Sequence, residues 1–429
     1  MTQSVMRRRP SMPRDHTPQR SVSNATVPVR WACLVGVACW ALAACATETP
    51  SNAELADPVL LQLSDTPVVS IGVVEGDERY QFVRVSSAWR QRDGRIVVLD
   101  AGRAALLFFD SAGTYQFEAG GRGRGPGEMQ QIATGWQYRG DSIAVYDLMQ
   151  RRITIYDHDG RYARSFQNPV THENRPGFMP SQSCCLVRGT LADGSFIGHP
   201  PDDIPTGPGP DRFSTFTPWW ISPDGTEAHP IATFESALFR HDPGQRSGIR
   251  GFATSYSFRY AVANDRLVGG NGFGRGILSI PVTRPPDGEV SVRTDTVPVP
   301  HIGGPFTEAL QQSYEQALRA DYAANRERYE GAVESYVQAY PPTTPNFVNI
   351  HGDGAGRVWL ERWTPQYGRK GARAQYDLIR PDGTHVGTVD LPPGAMLLWA
   401  DHRYVILLER DDMDVQYVRI YGVASARRS

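Results

Sequence analysis

Polar turns and short apolar runs alternate along most of the chain, at a spacing too tight for helices. Asp93-Gly-Arg-Ile-Val-Val-Leu-Asp100 is followed by Leu106-Leu-Phe-Phe-Asp-Ser-Ala-Gly113. Gly140-Asp-Ser-Ile-Ala-Val-Tyr-Asp147 is followed by Ile153-Thr-Ile-Tyr-Asp-His-Asp-Gly160. Ile96 and Ile143, Asp100 and Asp147, Asp110 and Asp157, and Gly113 and Gly160 all stand 47 residues apart. In each unit an Asp-Gly or Gly-Asp turn opens a β-rich run, and polar residues cross to a second run. A turn ending in Gly follows, because that position calls for positive φ. A third run such as Tyr115-Gln-Phe then leaves the turn. The pattern predicts antiparallel meanders.

Four more units keep this frame. Asp193-Gly-Ser-Phe-Ile opens the third, with Ile221-Ser-Pro-Asp-Gly225 as a later turn and a Pro-rich insertion near His199–Phe213. Asn264-Asp-Arg-Leu-Val opens the fourth, with Pro286-Asp-Gly288 as its turn. Gly356-Arg-Val-Trp-Leu opens the fifth, with Arg380-Pro-Asp-Gly383. Asp401-His-Arg-Tyr-Val-Ile-Leu-Leu opens the sixth, which ends at Val415-Gln-Tyr-Val-Arg-Ile-Tyr421 without an outermost strand. An unassigned β run, Val68-Val-Ser-Ile-Gly-Val-Val74, precedes the first unit. The simplest closure pairs that run into the sixth sheet. One meander cannot bury both of its faces, whereas a closed ring of them buries every face and leaves no open end. The expected fold class is therefore all-β: a six-bladed β-propeller over residues 67–423, closed by an N-terminal strand. The single helical region is Pro305–Ala339, where Phe306, Leu310, Tyr314 and Leu318 recur at four-residue spacing. It predicts a helical-hairpin insertion (305–340) between blades 4 and 5, packed on the rim as a lid or offered to a partner.

The amino-terminal pattern is different. Residues 1–30 are polar and basic, and an apolar run from Trp31 to Ala44 ends in Leu42-Ala43-Ala44-Cys45. That run is shorter than the roughly 20 residues a membrane-spanning helix needs. It fits a secretory signal over residues 1–44. Residues 45–66 read as a flexible, Pro-containing tether and 424–429 as a disordered tail. Residues 1–44 carry six Arg and one Asp, so of 44 basic and 46 acidic residues the remainder keeps 38 and 45, a formal charge of -7. Such a balance gives no basic face for nucleic acid. Of five cysteines, Cys33 and Cys39 fall in the signal segment. Cys184 and Cys185 are adjacent, and in an oxidising compartment they form either a vicinal disulfide or two semi-buried thiols.

Leu42-Ala43-Ala44-Cys45 resembles a bacterial lipoprotein box. The resemblance implies cleavage before Cys45 and lipidation of its thiol. Ala46 rather than Asp at the next position implies the outer membrane, facing the periplasm or the cell surface. The blade pattern resembles the six-bladed NHL/TolB-like propellers of bacterial envelope proteins. Three segments carry this likeness. They are Gly120-Gly-Arg-Gly-Arg-Gly-Pro-Gly-Glu128; Gly356–Leu360 with Tyr376–Gly383 and Val389–Pro393; and Glu409–Tyr421. That lipoprotein group carries no agreed activity, so the resemblance implies a shape and not a reaction.

Candidate chemistry is sparse. The Gly120–Glu128 loop has Pro126 and a β context where a phosphate-binding loop needs a helix. It reads as an inter-blade crossover, or as a ligand loop in which Arg122 and Arg124 clamp an anion and Glu128 fixes an arginine. Ten histidines stand singly; His351 and Asp353 lie near the start of blade five. The repeated Asp100, Asp147, Asp110 and Asp157 read as turn and strand-end caps. Trp219, Trp220, Trp359 and Trp363 are core anchors or stacking platforms. No cofactor is expected. The sequence favours a non-enzymatic, membrane-anchored module that binds an envelope protein, peptide or glycan. The alternative is a metal-dependent hydrolase or lyase of the NHL or lactonase-like kind, with metal in the central channel.

Overall fold

In a computed structural model, the described residues are 59–170, 186–204, 208–241, 249–251, 257–274, 276–283, 293–322, 340–369 and 371–426. The signal segment, Cys45, Cys184 and Cys185 lie outside them. Strands β1 (Val59–Leu63) and β2 (Val69–Ile71) come first. The first meander is β3 (Val85–Arg90), β4 (Ile96–Asp100), β5 (Ala105–Phe109) and β6 (Tyr115–Gly120). The second is β7 (Ile132–Gln137), β8 (Ile143–Asp147), β9 (Arg152–Tyr156) and β10 (Tyr162–Gln167). There follow β11 (Leu186–Thr190), β12 (Phe196–His199), β13 (Arg212–Phe216), β14 (Trp219–Ile221), β15 (Ala228–Pro230), β16 (Phe234–His241) and β17 (Ile249–Gly251). Of these, β11, β12, β14 and β15 make the third meander, while β13, β16 and β17 form a separate three-stranded sheet. The fourth meander is β18 (Arg259–Ala263), β19 (Arg266–Gly270), β20 (Gly276–Pro281) and β21 (Asp295–Pro298). Helix α1 (Glu308–Tyr322) precedes the fifth, β22 (Asn349–Gly352), β23 (Val358–Glu361), β24 (Gln375–Ile379) and β25 (His385–Asp390). The last is β26 (Met396–Ala400), β27 (Tyr404–Arg410) and β28 (Gln416–Ala426).

The apolar runs that looked like strands are strands, and their composition tells their place. All five residues of β4, β5 and β8 are buried, because neighbouring meanders cover both faces of these middle strands. The outermost β6 alternates half-buried and exposed. Apolar clusters join the meanders in order around the molecule. Leu99 and Phe108 meet Met129 and Val145; Tyr146 meets Val187; Trp220 meets Leu267; Val268 meets Val358; Leu378 meets Val405. The cluster that closes this order joins Val85, Val98 and Leu107 of the first meander to Ile406, Val418 and Ile420 of the last.

Strand β2 enters that closing cluster. Val69, Ser70 and Ile71 pair antiparallel with Ile420, Arg419 and Val418, so the run before the first unit supplies the fourth strand of the last. The Gln416 side chain adds a second clasp, its Oε1 accepting from Val85 N at 2.8 Å.

Two boundaries differ from the sequence expectation. Val59–Leu63, expected within the tether, is a strand that pairs parallel with β25 and antiparallel with β28. Leu61 and Leu63 pack beside Tyr421 and Val389, which explains why this stretch is ordered. Residues 424–426, expected in the tail, belong to β28, whose Ala426 pairs with Leu60. The extra sheet was also unforeseen: its strands come from the Pro-rich insertion and from the link into the fourth meander. Of the expected helical hairpin, α1 is present between the fourth and fifth meanders, and residues 323–339 lie outside the described residues. Its Tyr314 and Leu318 pack with Phe306 on Trp363.

Candidate functional site

The first strand of every meander borders one central cavity of about 850 Å³. These strands touch in the order β26, β3, β7, β11, β18 and β22. In four of them the pairing with the second strand slips by one residue. The slips fall between Val85 and Ser87, Ile132 and Thr134, Val187 and Gly189, and Leu397 and Trp399. A bulge re-aims the side chain it inserts. The inserted residues are Ser86, Ala133, Arg188 and Leu398, and all four line the cavity. A second cavity of about 930 Å³ shares Gln137, Thr190, Gly354 and Trp399 with the first. It is bordered by the turns that follow the inner strands, including Arg92, Arg139, Asp141, Asp401 and Arg403.

The titratable groups of the central cavity divide into engaged and free. Asp353 accepts from Arg357 Nε at 2.7 Å and Trp359 Nε1 at 2.9 Å, and from the amides of Ala355 and Arg357. Arg362 is forked onto Asp377 at 2.7 and 2.6 Å, and the pairing raises its pKa. Glu361 accepts from Tyr376 Oη at 3.2 Å, and burial raises its pKa despite the hydrogen bonds from Tyr376 and Asn349. Burial also pushes the Tyr367 hydroxyl up to about 12. Desolvation, with help from the charge of Arg188, lowers His351 to about 4, so the ring is neutral at pH 7. Arg188 itself is lowered by desolvation and has no hydrogen bond or ion pair among the described residues.

This arrangement bears on a central metal. His351 packs edge-on against Tyr376 at 6.1 Å, and Asp353, two residues on, spends its oxygens on its own turn. Among the described residues no group of three His, Cys, Asp or Glu side chains converges. The donors among the described residues do not fit a zinc or calcium centre.

The sequence-predicted loop lies elsewhere. Arg122, Arg124 and Glu128 are exposed and line neither cavity. Arg122 Nη2 donates to Gly102 O at 2.9 Å, and Arg124 offers its carbonyl to Arg152 at 3.2 Å. The Glu128 carboxylate accepts from Gly125 N at 2.8 Å, and it is the Glu128 main-chain carbonyl, not the carboxylate, that accepts from an arginine, Arg152. That carboxylate folds back over Gly123, into the space a Cβ there would take. Tyr156 Oη closes the loop on Gly127 O at 2.6 Å. The loop is thus stitched as a crossover from β6 to β7.

The repeated aspartates are caps. Asp100 accepts from Val83 N, Arg84 N, Gly102 N and Arg103 N at 2.8–3.2 Å. Asp147 does the same for Gln130, Gln131 and Gln150. Asp110 and Asp157 each hold two amides of the next turn. Trp220, Trp359 and Trp363 are buried in the core, and Trp359 also borders the cavity. Sequence reasoning reached His351 but missed Arg188 and Tyr260, because channel exposure at Arg188 depends on a bulge that has no local signature.

Residues 77–183, which span the two best copies of the repeat, match the family model described as a 6-bladed beta-propeller. With the ring of apolar clusters, this decides the architecture. The fold is a β-propeller. No protein of curated function matches the sequence. Among solved structures, a member of the duf4221 family of Bacteroides vulgatus is similar over 85% of this chain and 99% of that one, at 12% identity and TM-score 0.50. A Bacteroides fragilis protein described as exported is 13% identical over 86% of this chain and 96% of its own, with TM-score 0.44. A gluconolactonase of Xanthomonas campestris is 11% identical over 80% and 87%, with TM-score 0.39.

Proposed function

We propose that the chain is a lipid-anchored, six-bladed propeller of the bacterial cell envelope, that each meander is one blade, and that the central channel binds part of a protein, peptide or glycan. Lipid on Cys45 holds it to the outer membrane, and residues 46–58 tether the ring. One observation carries the binding reading. A cavity of about 850 Å³ is bordered by all six inner strands and mixes aromatic faces with a few convergent polar groups. Trp136 and Trp399 are half-buried there and offer rings to a ligand.

Two experiments test this. Metabolic labelling with a fatty acid is expected to mark the full chain and not a Cys45→Ser variant; equal labelling removes the anchor. A photo-crosslinking residue at Leu398, inside the channel, is expected to give a discrete adduct in intact envelopes. The same residue at Met413, which is 68% exposed, is expected to give none. Absence of any adduct at Leu398 rejects the channel as the binding site.

A further inference from the structure

Residues 45–429 carry a formal charge of -7, yet each of the two cavities is bordered by more arginines than carboxylates. We infer that the channel takes an acidic glycan, a linear chain of sugars bearing carboxylates, laid along both cavities and held by Arg188, Arg373, Arg139 and Arg403. This deepens the channel-binding reading and rests on it.

The carboxylates at the cavities have donors of their own. Asp353 is bound by Arg357 and Trp359, and Glu361 by Tyr376 and Asn349. Asp93 accepts from Arg95 Nε at 2.6 Å, and Asp141 from Gln137 Nε2 at 2.5 Å and Arg92 N at 3.2 Å. Asp401 accepts from the amides of Arg403 and Tyr404 at 2.7 Å. The cations are not matched in this way. Arg188 and Arg373 at the central cavity, and Arg139 and Arg403 at the second, are exposed. Their side chains have no hydrogen bond or ion pair among the described residues. The groups that act on Arg188 are Tyr260 and a further cation, Arg259, both from the neighbouring strand β18, and no carboxylate is among them. Like charges around one concave space repel each other, and low-dielectric walls focus their field into the opening. An anionic chain relieves that repulsion at several points, each contact raising the effective concentration for the next.

The placement of the cations selects an extended ligand. Arg188 is on β11 of the third meander, and Arg373 is in the connection from β23 to β24 of the fifth. Arg139 and Arg403 stand in turns of the second and last meanders, at the second cavity. The cavities adjoin at Gln137, Thr190, Gly354 and Trp399. A compact anion engages the guanidinium groups of one cavity, whereas a chain with a carboxylate on each unit meets those of both. Carboxylate suits them, because its two oxygens match the planar fork of a guanidinium. The aromatic groups favour sugar over peptide. Peptides are anchored by apolar side chains seated in pockets. Here the half-buried rings of Trp136 and Trp399 come from separate inner strands, β7 and β26, and offer faces on which successive sugar rings lie flat.

Calorimetric titration of the purified full chain with hexagalacturonate tests the inference, with monomeric galacturonate, neutral cellohexaose and hexaglutamate alongside. Hexagalacturonate is expected to saturate one site per chain, with each of the other three weaker by about tenfold or more. Raising NaCl from roughly 50 to 300 mM is expected to weaken it about tenfold. Arg188→Gln and Arg373→Gln are each expected to weaken it about tenfold and together further, with the thermal midpoint unchanged because both side chains are exposed. Arg79→Gln, exposed and bordering neither cavity, is expected to match the parent. Failure of hexagalacturonate to saturate, an affinity indifferent to salt or to the paired arginine variant, galacturonate equal to the hexamer, or hexaglutamate binding more tightly overturns the acidic glycan. If cellohexaose saturates with no dependence on these arginines, the carboxylates are removed and the channel stays a glycan site. If no probe binds but the photo-crosslinker at Leu398 still captures an envelope component, only the acidic glycan falls; with no adduct either, the channel reading falls too.

Discussion

Gly140 and Gly160 both have left-handed backbones, with φ of 61° and 75°, but their surroundings differ. A Cβ at Gly140 meets nothing within 4 Å, whereas at Gly160 it lands 2.9 Å from Ala119 Cβ and from the Phe108 ring. Gly140→Ala is therefore expected to cost only the conformational penalty, about 1 kcal/mol. Gly160→Ala adds overpacking against the core and is expected to cost about 2–4 kcal/mol. Urea midpoints of the two variants measure this, and equal losses show that packing at Gly160 is slack. This contrast also marks what is legible in a sequence. Gly113 and Gly160, or Asp100 and Asp147, recur because a turn or a cap is solved within a few residues of backbone. Arg188 carries no such mark. Its exposure to the channel arises from register between β11 and β12, and a one-residue slip depends on the partner strand. The loop with the most conspicuous local pattern, Gly120–Glu128, is spent on holding one blade to the next.

At the level of elements, the ring depends on strand β28. Its first half lies between β27 and β2, and its second half pairs with β1, which in turn joins β25 of the preceding blade. Strands β1, β2 and β28 thus lock each other. Ile71 is the buried residue of this lock, 1% exposed within the cluster that joins the first and last blades. Ile71→Ala is expected to cost about 2–5 kcal/mol. Leu61→Ala, at a half-buried position on the outer strand, is expected to cost less than half as much. Urea unfolding separates them, with amide exchange expected to rise first in β2 and β28. An Ile71→Ala loss no larger than that of Leu61→Ala rules out β2 as the closing strand. The β2 lock was readable because the last repeat unit lacks a fourth strand and an orphan run stands before the first. The β1 lock was not: both its partners lie more than 300 residues away, and a polar, Pro-containing neighbourhood masks its apolar alternation. The sheet of β13, β16 and β17 was hidden for a related reason, since its strands come from two different connections.

For the whole molecule, pH is the variable that reaches several blades at once. His199, on the second strand of blade three, and His351, on the first strand of blade five, are both lowered to about 4 by desolvation. His301 moves in the same direction, again through burial. An unfolded chain protonates these rings near 6.5, whereas the folded chain resists until about pH 4. Below 6.5 the unfolded state therefore binds more protons, and stability falls as pH drops. Each ring contributes a slope of at most about 1.4 kcal/mol per pH unit in this window. The exposed turn aspartates act elsewhere. Asp77 and Asp224 are lowered to about 2 by hydrogen bonds from Arg79 and from Ser222 and Thr226, so what little they add is lost only below 3.8. The thermal midpoint is thus expected to decline from pH 6.5 to 4.5, before any of these carboxylates titrates. The paired variant His199→Gln, His351→Gln is expected to flatten that decline, although its midpoint at pH 7 is lower from lost packing on Phe216 and Tyr376. A parent midpoint that stays level from 6.5 to 4.5, or a decline of equal steepness in the paired variant, contradicts neutral rings at these two sites.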